Sequence, residues 1–302
     1  MDESLEELLA AVAAGRLAAS EAADRLRRFG YSAVGDYARL DVSRTARKGV
    51  PEVVFAEGKS DEQLLGIVTR FLDHSPLVLC SRVSAGQAAA LDAGAPGTVE
   101  HDERSRVIVV RRTGGPPVTE RGAVGVLAAG TSDLGVAGEA VAMCRAMGVA
   151  VVSAFDVGVA GLHRLAAPLE EMRAAGVAAV VVAAGMEGAL PSVVAGLVDV
   201  PVIGLPTSTG YGLGGRGEAA LLGMLQSCSP GLVVVNIDNG IGAGATAALI
   251  ARRAASCRRF RSSSATTARS SGGAGWTCSR TRRTPTTASS WPASSASACC
   301  AP

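Results

Sequence analysis

The sequence predicts an α/β protein: a parallel sheet with helices on both faces, preceded by a smaller α/β region. Three observations carry this. Five continuous apolar runs recur between residues 119 and 254, separated by helix-length segments; continuous rather than alternating runs mark strands buried on both faces. Aromatics are only 3% of the 302 residues, while apolar residues reach 48% and glycines number 37. A core of Ala, Val, Leu and Ile suits helix-covered sheets better than a sandwich. Each run also ends near a polar cluster, most of them glycine-containing, and open parallel sheets bind ligands beyond their C-terminal strand ends.

Taken in order, Ser4 can cap a helix carrying Leu5, Leu8, Leu9 and Val12, with Glu6 and Glu7 in its first turn. Ser20 can cap a second, with Ala22, Ala23, Leu26 and Phe29 inward. Asp61 is expected to cap a helix containing Leu64, Leu65, Val68 and Leu72. Pro76–Leu79 and Val107–Val110 read as strands and Ala85–Leu91 as a helix. Thr113-Gly-Gly-Pro-Pro117 has linker chemistry, which bounds a first region at residues 1–118. In the second region, 119–254, the apolar runs are Ala123–Ala129, Val149–Ala154, Val177–Ala184, Val202–Leu205 and Leu232–Ile237. The helices between them are Asp133–Met147, His163–Ala175, Ala189–Val198 and Glu218–Gln226, with a last one from about Thr246 to Arg253.

Residues 255–302 differ from the rest. They hold 12 Ser, four of the seven Cys, both Trp and seven Arg, with no acid. Such composition predicts disorder. A frameshifted translation of a GC-rich gene would produce it, a hypothesis that an intact reading frame in the gene would refute; a genuine disordered tail is the alternative. Without those seven arginines the net charge of +2 becomes −5 for residues 1–254, so charge does not favour a nucleic-acid partner. Nothing resembles a secretory leader, and no apolar stretch approaches the ~18–20 residues of a membrane span. A cytoplasmic location is therefore expected, with reduced thiols; no Cys-x-x-Cys pair suggests structural zinc.

The chemistry-bearing clusters sit at the strand ends. Gly130-Thr131-Ser132-Asp133 can present amides and a hydroxyl to an anion, or can be an ordinary helix cap. Asp156 opens a loop that reaches His163 and Arg164. The pair can move protons or bind a carboxylate, or be a cap and a solvated cation. Glu187, between Gly185 and Gly188, can act as a base if buried, or can be a turn residue facing water. Thr207, Ser208 and Asn239 belong to the last two clusters, and Gly240, Gly242 and Gly244 are expected to let a helix start close to a ligand. Cys228 is flanked by Ser227, Ser229 and Pro230. It can be a nucleophile beside a cation, whereas a buried small residue is the plainer reading and suits Cys80 and Cys144. In the first region, Arg44, Arg47 and Lys59 surround a short strand with Glu52 and Glu57. They can grip phosphates or form a salt-bridged hairpin.

Taken together, Arg44-Thr-Ala-Arg47, Pro51-Glu-Val-Val-Phe-Ala-Glu-Gly-Lys59, Gly130-Thr-Ser-Asp-Leu134, Asp156-Val-Gly-Val-Ala-Gly-Leu-His-Arg-Leu165, Ala184-Gly-Met-Glu-Gly-Ala-Leu-Pro-Ser192, Pro206-Thr-Ser208, Gly210-Tyr-Gly212, Ser227-Cys228 and Val235-Asn-Ile-Asp-Asn-Gly240 closely resemble the LarB family, the pyridinium-3,5-biscarboxylic acid mononucleotide synthases. The resemblance covers about residues 1–253. Gly135 and Gly138 depart from it, standing where Pro and Glu are more usual, and are expected to loosen a helix start. The C-terminal domain is similar to aminoimidazole ribonucleotide carboxylases, which implies a flavodoxin-like three-layer fold and a homo-octamer.

The resemblance implies carboxylation of nicotinic acid adenine dinucleotide by CO2 or bicarbonate, followed by phosphoanhydride hydrolysis with Mg2+ and release of AMP, on the way to a nickel-pincer cofactor. Cys228 would be the nucleophile, with Glu187 or His163 as base. Ser132, Asp133 and Arg164 would orient substrate, and Arg44, Arg47 and Lys59 would hold the dinucleotide; the metal ligands stay unassigned. Two rivals remain. An aminoimidazole ribonucleotide carboxylase or mutase needs neither the cysteine nor the first region. A non-catalytic nucleotide-binding module is the other.

Overall fold

The computed structural model describes residues 5–22 and 32–270, with side chains as far as Cys257. Residues 1–260 form one unit, and 261–302 form another. Among the described residues of the first unit are eleven strands. Ser32–Val34 (β1) and Ala38–Leu40 (β2) make a small antiparallel ladder. Val53–Phe55 (β3), Leu77–Ser81 (β4), Gly97–Asp102 (β5) and Val107–Arg112 (β6) form a four-stranded sheet in the order β3-β4-β6-β5. Only its β3–β4 pair is parallel. Ala123–Ala128 (β7), Ala150–Phe155 (β8), Val180–Ala184 (β9), Val202–Pro206 (β10) and Leu232–Val234 (β11) form a wholly parallel sheet ordered β11-β10-β9-β7-β8.

The period of two in each strand explains the layers. In the parallel sheet, Val126, Val181 and Ile203 face one core with the helices Leu134–Ala146 and Gly240–Ser270, while Leu127, Val180, Val182 and Val202 face a second core. That second core is closed by Met172, Leu190 and Met224 from the helices Ala166–Ala174, Ala189–Ala195 and Glu218–Leu225. Helices therefore cover both faces, as expected. In the four-stranded sheet, Leu77, Leu79, Val107 and Val109 join the first of these cores. Val78, Cys80, Ile108 and Val110 face the helix Asp61–Leu72 instead. The helix Leu134–Ala146 is thus packed between the two sheets.

Several local expectations are corrected. The helix Asp61–Leu72 is capped by Ser60, not Asp61: its hydroxyl accepts from Gln63 N and the Gln63 side chain returns to Ser60 N. The same reciprocal cap, Ser84 with Gln87, starts the helix Ala85–Gly94. The helix Leu5–Ala13 forms with Leu8 buried, but most of the helix expected after Ser20 lies outside the described residues. His163 is not in the helix Ala166–Ala174; it lies in a preceding 3-10 segment, Val159–Leu165. The last helix starts at Gly240, not near Thr246, and continues to Ser270.

Two glycines of this last helix serve close packing. A Cβ at Gly240 would lie 2.2 Å from Val136 O, and one at Gly244 would lie 2.5 Å from Ala140 O. Both let the helix press onto Leu134–Ala146. Gly135 and Gly138 lie within that helix. They admit the turn before β6: a Cβ at Gly138 would meet Ser105 Cβ at 2.8 Å, and one at Gly135 would meet Arg104 O at 3.2 Å.

Candidate active site at the strand ends

In the parallel sheet, β8 lies on one side of β7 and β9 on the other. The chain reverses its strand order there, which opens a crevice at the carboxyl ends. Asp133 sits at this point, buried. Its Oδ2 accepts from Gly130 N at 2.9 Å, and its Oδ1 accepts from Thr207 Oγ1 at 2.6 Å. The expected cap is thus a self-closing turn, Thr131–Asp133, tied to the loop after β10. Thr209 Oγ1 donates to Ser132 O at 3.4 Å, and Ser208 N donates to Asp238 Oδ1 at 2.8 Å. Gly185 completes the cluster: a Cβ there would stand 2.1 Å from Thr209 O and 2.9 Å from Thr207 Oγ1. Thr131, Ser132, Asp133, Gly185, Thr207 and Ser208 are therefore gathered in one place.

Beside them, Arg164 Nη1 pairs with Asp156 Oδ2 at 2.8 Å, and its Nη2 reaches Gly158 O at 3.5 Å. His163 and Glu187 are exposed, and neither side chain makes a hydrogen bond or ion pair among the described residues. Asn239 is a local cap, its Oδ1 accepting from Gly242 N at 2.9 Å. Cys228 stands apart from the Asp133 cluster. It is exposed in the loop between the helix Glu218–Leu225 and edge strand β11, so the buried reading does not apply. Ser229 Oγ, its neighbour, donates to Ser192 O at 2.9 Å. On the same flank, a Cβ at Gly223 would lie 2.3 Å from Glu187 O. Cys80 and Cys144 are buried, and burial pushes both thiols up to about 12.

Strand-end loops of the N-terminal sheet also reach this edge. Arg82, just after β4, donates from Nη2 to Asp238 O at 3.2 Å, and its Nε lies 3.8 Å from Glu139 Oε1. Its Nη1 lies 3.7 Å from Glu57, and the guanidinium stacks 5.5 Å from the Phe55 ring centroid. Glu139 is buried on the helix Leu134–Ala146 and accepts from the amides of Gly240 and Ile241. Burial pushes its carboxyl up to about 7, against the pull of Arg82. Arg82, Asp156, Met186 and Asp238 all have left-handed φ, at 56°, 58°, 52° and 55°. Each closely follows the end of a strand, and such strain in non-glycine residues clusters at functional sites.

The first-region cations are mostly engaged locally. Arg44 pairs with Glu52 at 2.7 Å, Arg47 with Asp41 at 2.5 Å, and Lys59 Nζ donates to Phe55 O at 2.6 Å. Arg44 and Lys59 line one cavity of about 450 Å³ with Arg39, Phe55, Asp41 and Glu52; Arg47 does not. Arg82 and Glu139, which reach the strand-end cluster, were not among the expected residues. Glu139 had a signal: it shares a buried helix face with Met143 and Ala146, where a lone charge needs a reason. Arg82 had none, since only the fold brings it to Asp238.

The parallel sheet, with its buried Asp-centred turn at the switch point, lies within a stretch that matches the aminoimidazole ribonucleotide carboxylase class. The AIR carboxylase family model matches residues 123–269, and the LarB/PurE-like N-terminal domain matches residues 31–112. "Uncharacterized protein MJ0165" of Methanocaldococcus jannaschii is 38% identical over 256 residues, 83% of this chain and 98% of that protein. The chain belongs to the LarB family, and its domains support a carboxylase-type role. An ABC-transporter solute-binding protein of Bradyrhizobium sp. BTAi1, solved with bound bis-tris, is 17% identical over 43% of this chain and 54% of that one, with a TM-score of 0.23. No described helix is long and apolar enough to cross a membrane.

Proposed function

We infer that the protein carboxylates the pyridinium ring of nicotinic acid adenine dinucleotide at C5 and then cleaves the phosphoanhydride, releasing AMP. The observation that carries this reading is the convergence of two regions. Phe55 lines the cavity that holds Arg39, Arg44 and Lys59, and it stacks on Arg82, which in turn touches Asp238 beside the Asp133 cluster. A mononucleotide needs only the second half of that path; a dinucleotide needs both. Arg44 would exchange Glu52 for phosphate as the substrate enters.

The ring step balances. The Cys228 thiolate adds to C4 or C6, and the ring electron pair moves toward nitrogen to give an enamine. C5 attacks CO2, forming the new carbon–carbon bond. A base, Glu187 or His163, takes the C5 proton, and the carbon–sulfur bond breaks to restore the aromatic ring and the thiolate. Ring hydrogen and CO2 thus become ring carboxylate and a proton.

Cys228 and Asp133 lie apart within one chain, so the reading includes assembly: a homo-octamer, in which one copy's sulfur meets another copy's crevice. Exposed Leu222 and Leu225, on the helix that leads into Cys228, support a buried contact there. No three His, Cys, Asp or Glu among the described residues gather to hold a metal. Any Mg2+ would arrive largely coordinated by substrate phosphates, and no step is routed through it.

Incubation with labelled bicarbonate and either nicotinic acid adenine dinucleotide or aminoimidazole ribonucleotide tests the reading. Label is expected in a biscarboxylated pyridinium mononucleotide, with AMP released. Label only in the imidazole product would overturn it in favour of the purine-type carboxylase.

A further inference from the structure

One strand length from the strand-end site, where β4 and β7 begin, the structure holds a second cavity of about 600 Å³. Small-molecule sites occupy roughly 300–1,000 Å³. Its lining includes Arg111, Arg112, Arg121 and Arg252 and no Asp or Glu. Arg111 is ion-paired with Glu100 at 2.8 Å. Among the described residues, Arg112 and Arg252 donate only to backbone carbonyls, of Leu72 and Gly49. Arg121 forms no ion pair among the described residues. Residues 1–254 carry a net charge of −5, so three arginines without a carboxylate partner run against the charge of the body. Pro116 and Pro117 stiffen one wall, which lowers the ordering cost of a bound ligand.

We propose that this cavity binds a small pyrophosphate-bearing anion at a site separate from the strand ends. Guanidinium groups match phosphate oxygens in planar, two-pronged pairs. No aromatic residue lines the cavity, so recognition rests on the phosphates and tolerates what they carry.

Calorimetric titration of the full chain with inorganic pyrophosphate tests this. The comparison is wild type, the double variant Arg112→Ala/Arg121→Ala, the double variant Arg112→Lys/Arg121→Lys, and Arg44→Ala. Arg112 and Arg121 are exposed, so the doubles should keep the wild-type melting temperature. Saturable wild-type binding is expected. The alanine double should weaken it about tenfold or more, the lysine double should weaken it less, and Arg44→Ala, which removes phosphate capture at the first-region cavity, should leave the binding that depends on Arg112 and Arg121 in place. No saturable binding, equal affinity of wild type and the alanine double, or loss confined to Arg44→Ala would each overturn the site. Any of these would leave the carboxylation reading standing, because none involves the ring chemistry.

Discussion

Replacing Cys228 by serine should abolish carboxylated product while the protein folds as before. The sulfur is exposed and makes no hydrogen bond among the described residues, so removing it should change stability by no more than about 0.5 kcal/mol. A serine hydroxyl adds to a pyridinium far less readily than a thiolate, because it stays protonated at neutral pH. Loss of at least ~10³-fold in product formation is expected, the scale seen when a covalent nucleophile is removed. AMP release should fall with it if cleavage follows carboxylation, and mass spectrometry of the quenched reaction reads both. Normal product from Cys228→Ser would take the residue out of the mechanism.

A second large effect concerns pH and Glu139. Its carboxyl is raised from 4.5 to about 7, mainly by burial, with Arg82 opposing and Asp238 adding to the rise. The folded state therefore keeps a proton that the unfolded chain releases between those values. This contribution to stability is full below about pH 4.5 and declines as pH rises, until it is gone above about 7. The decline is on the order of 3 kcal/mol, from 1.36 kcal/mol per unit. Glu139→Gln can still accept from Gly240 and Ile241 but cannot ionise. Urea unfolding of both proteins from pH 5 to pH 8 should show the variant gaining on wild type by about 2–3 kcal/mol. Parallel curves would contradict the burial argument.

Much of the parallel sheet was legible because its strands are continuous apolar runs, and a chain buries such runs on two sides or not at all. β5 was not legible: Gly97-Thr-Val-Glu-His-Asp102 alternates polar residues at a sheet edge, where pairing with β6 rather than burial makes the strand. The start of the last helix was misread because Gly240, Gly242 and Gly244 resemble a loop. The fold uses Gly240 and Gly244 for close helix packing, which no local pattern records. Among the candidate residues, Thr131, Ser132, Asp133, Thr207 and Ser208 were legible as a strand-end cluster because they follow the apolar runs directly. Arg82 and Glu139 escaped because they act across the junction of the two regions. Cys228 is a candidate through family motifs alone, and its exposure distinguishes it from Cys80 and Cys144.

Peptide mapping of the protein saturated with nicotinic acid adenine dinucleotide, stripped of CO2 and quenched in acid, addresses the sulfur directly. The peptide containing Cys228 should carry the mass of one dinucleotide, and the same peptide from Cys228→Ser should not. An unmodified Cys228 peptide from protein that forms product on restoring CO2 would contradict the covalent route.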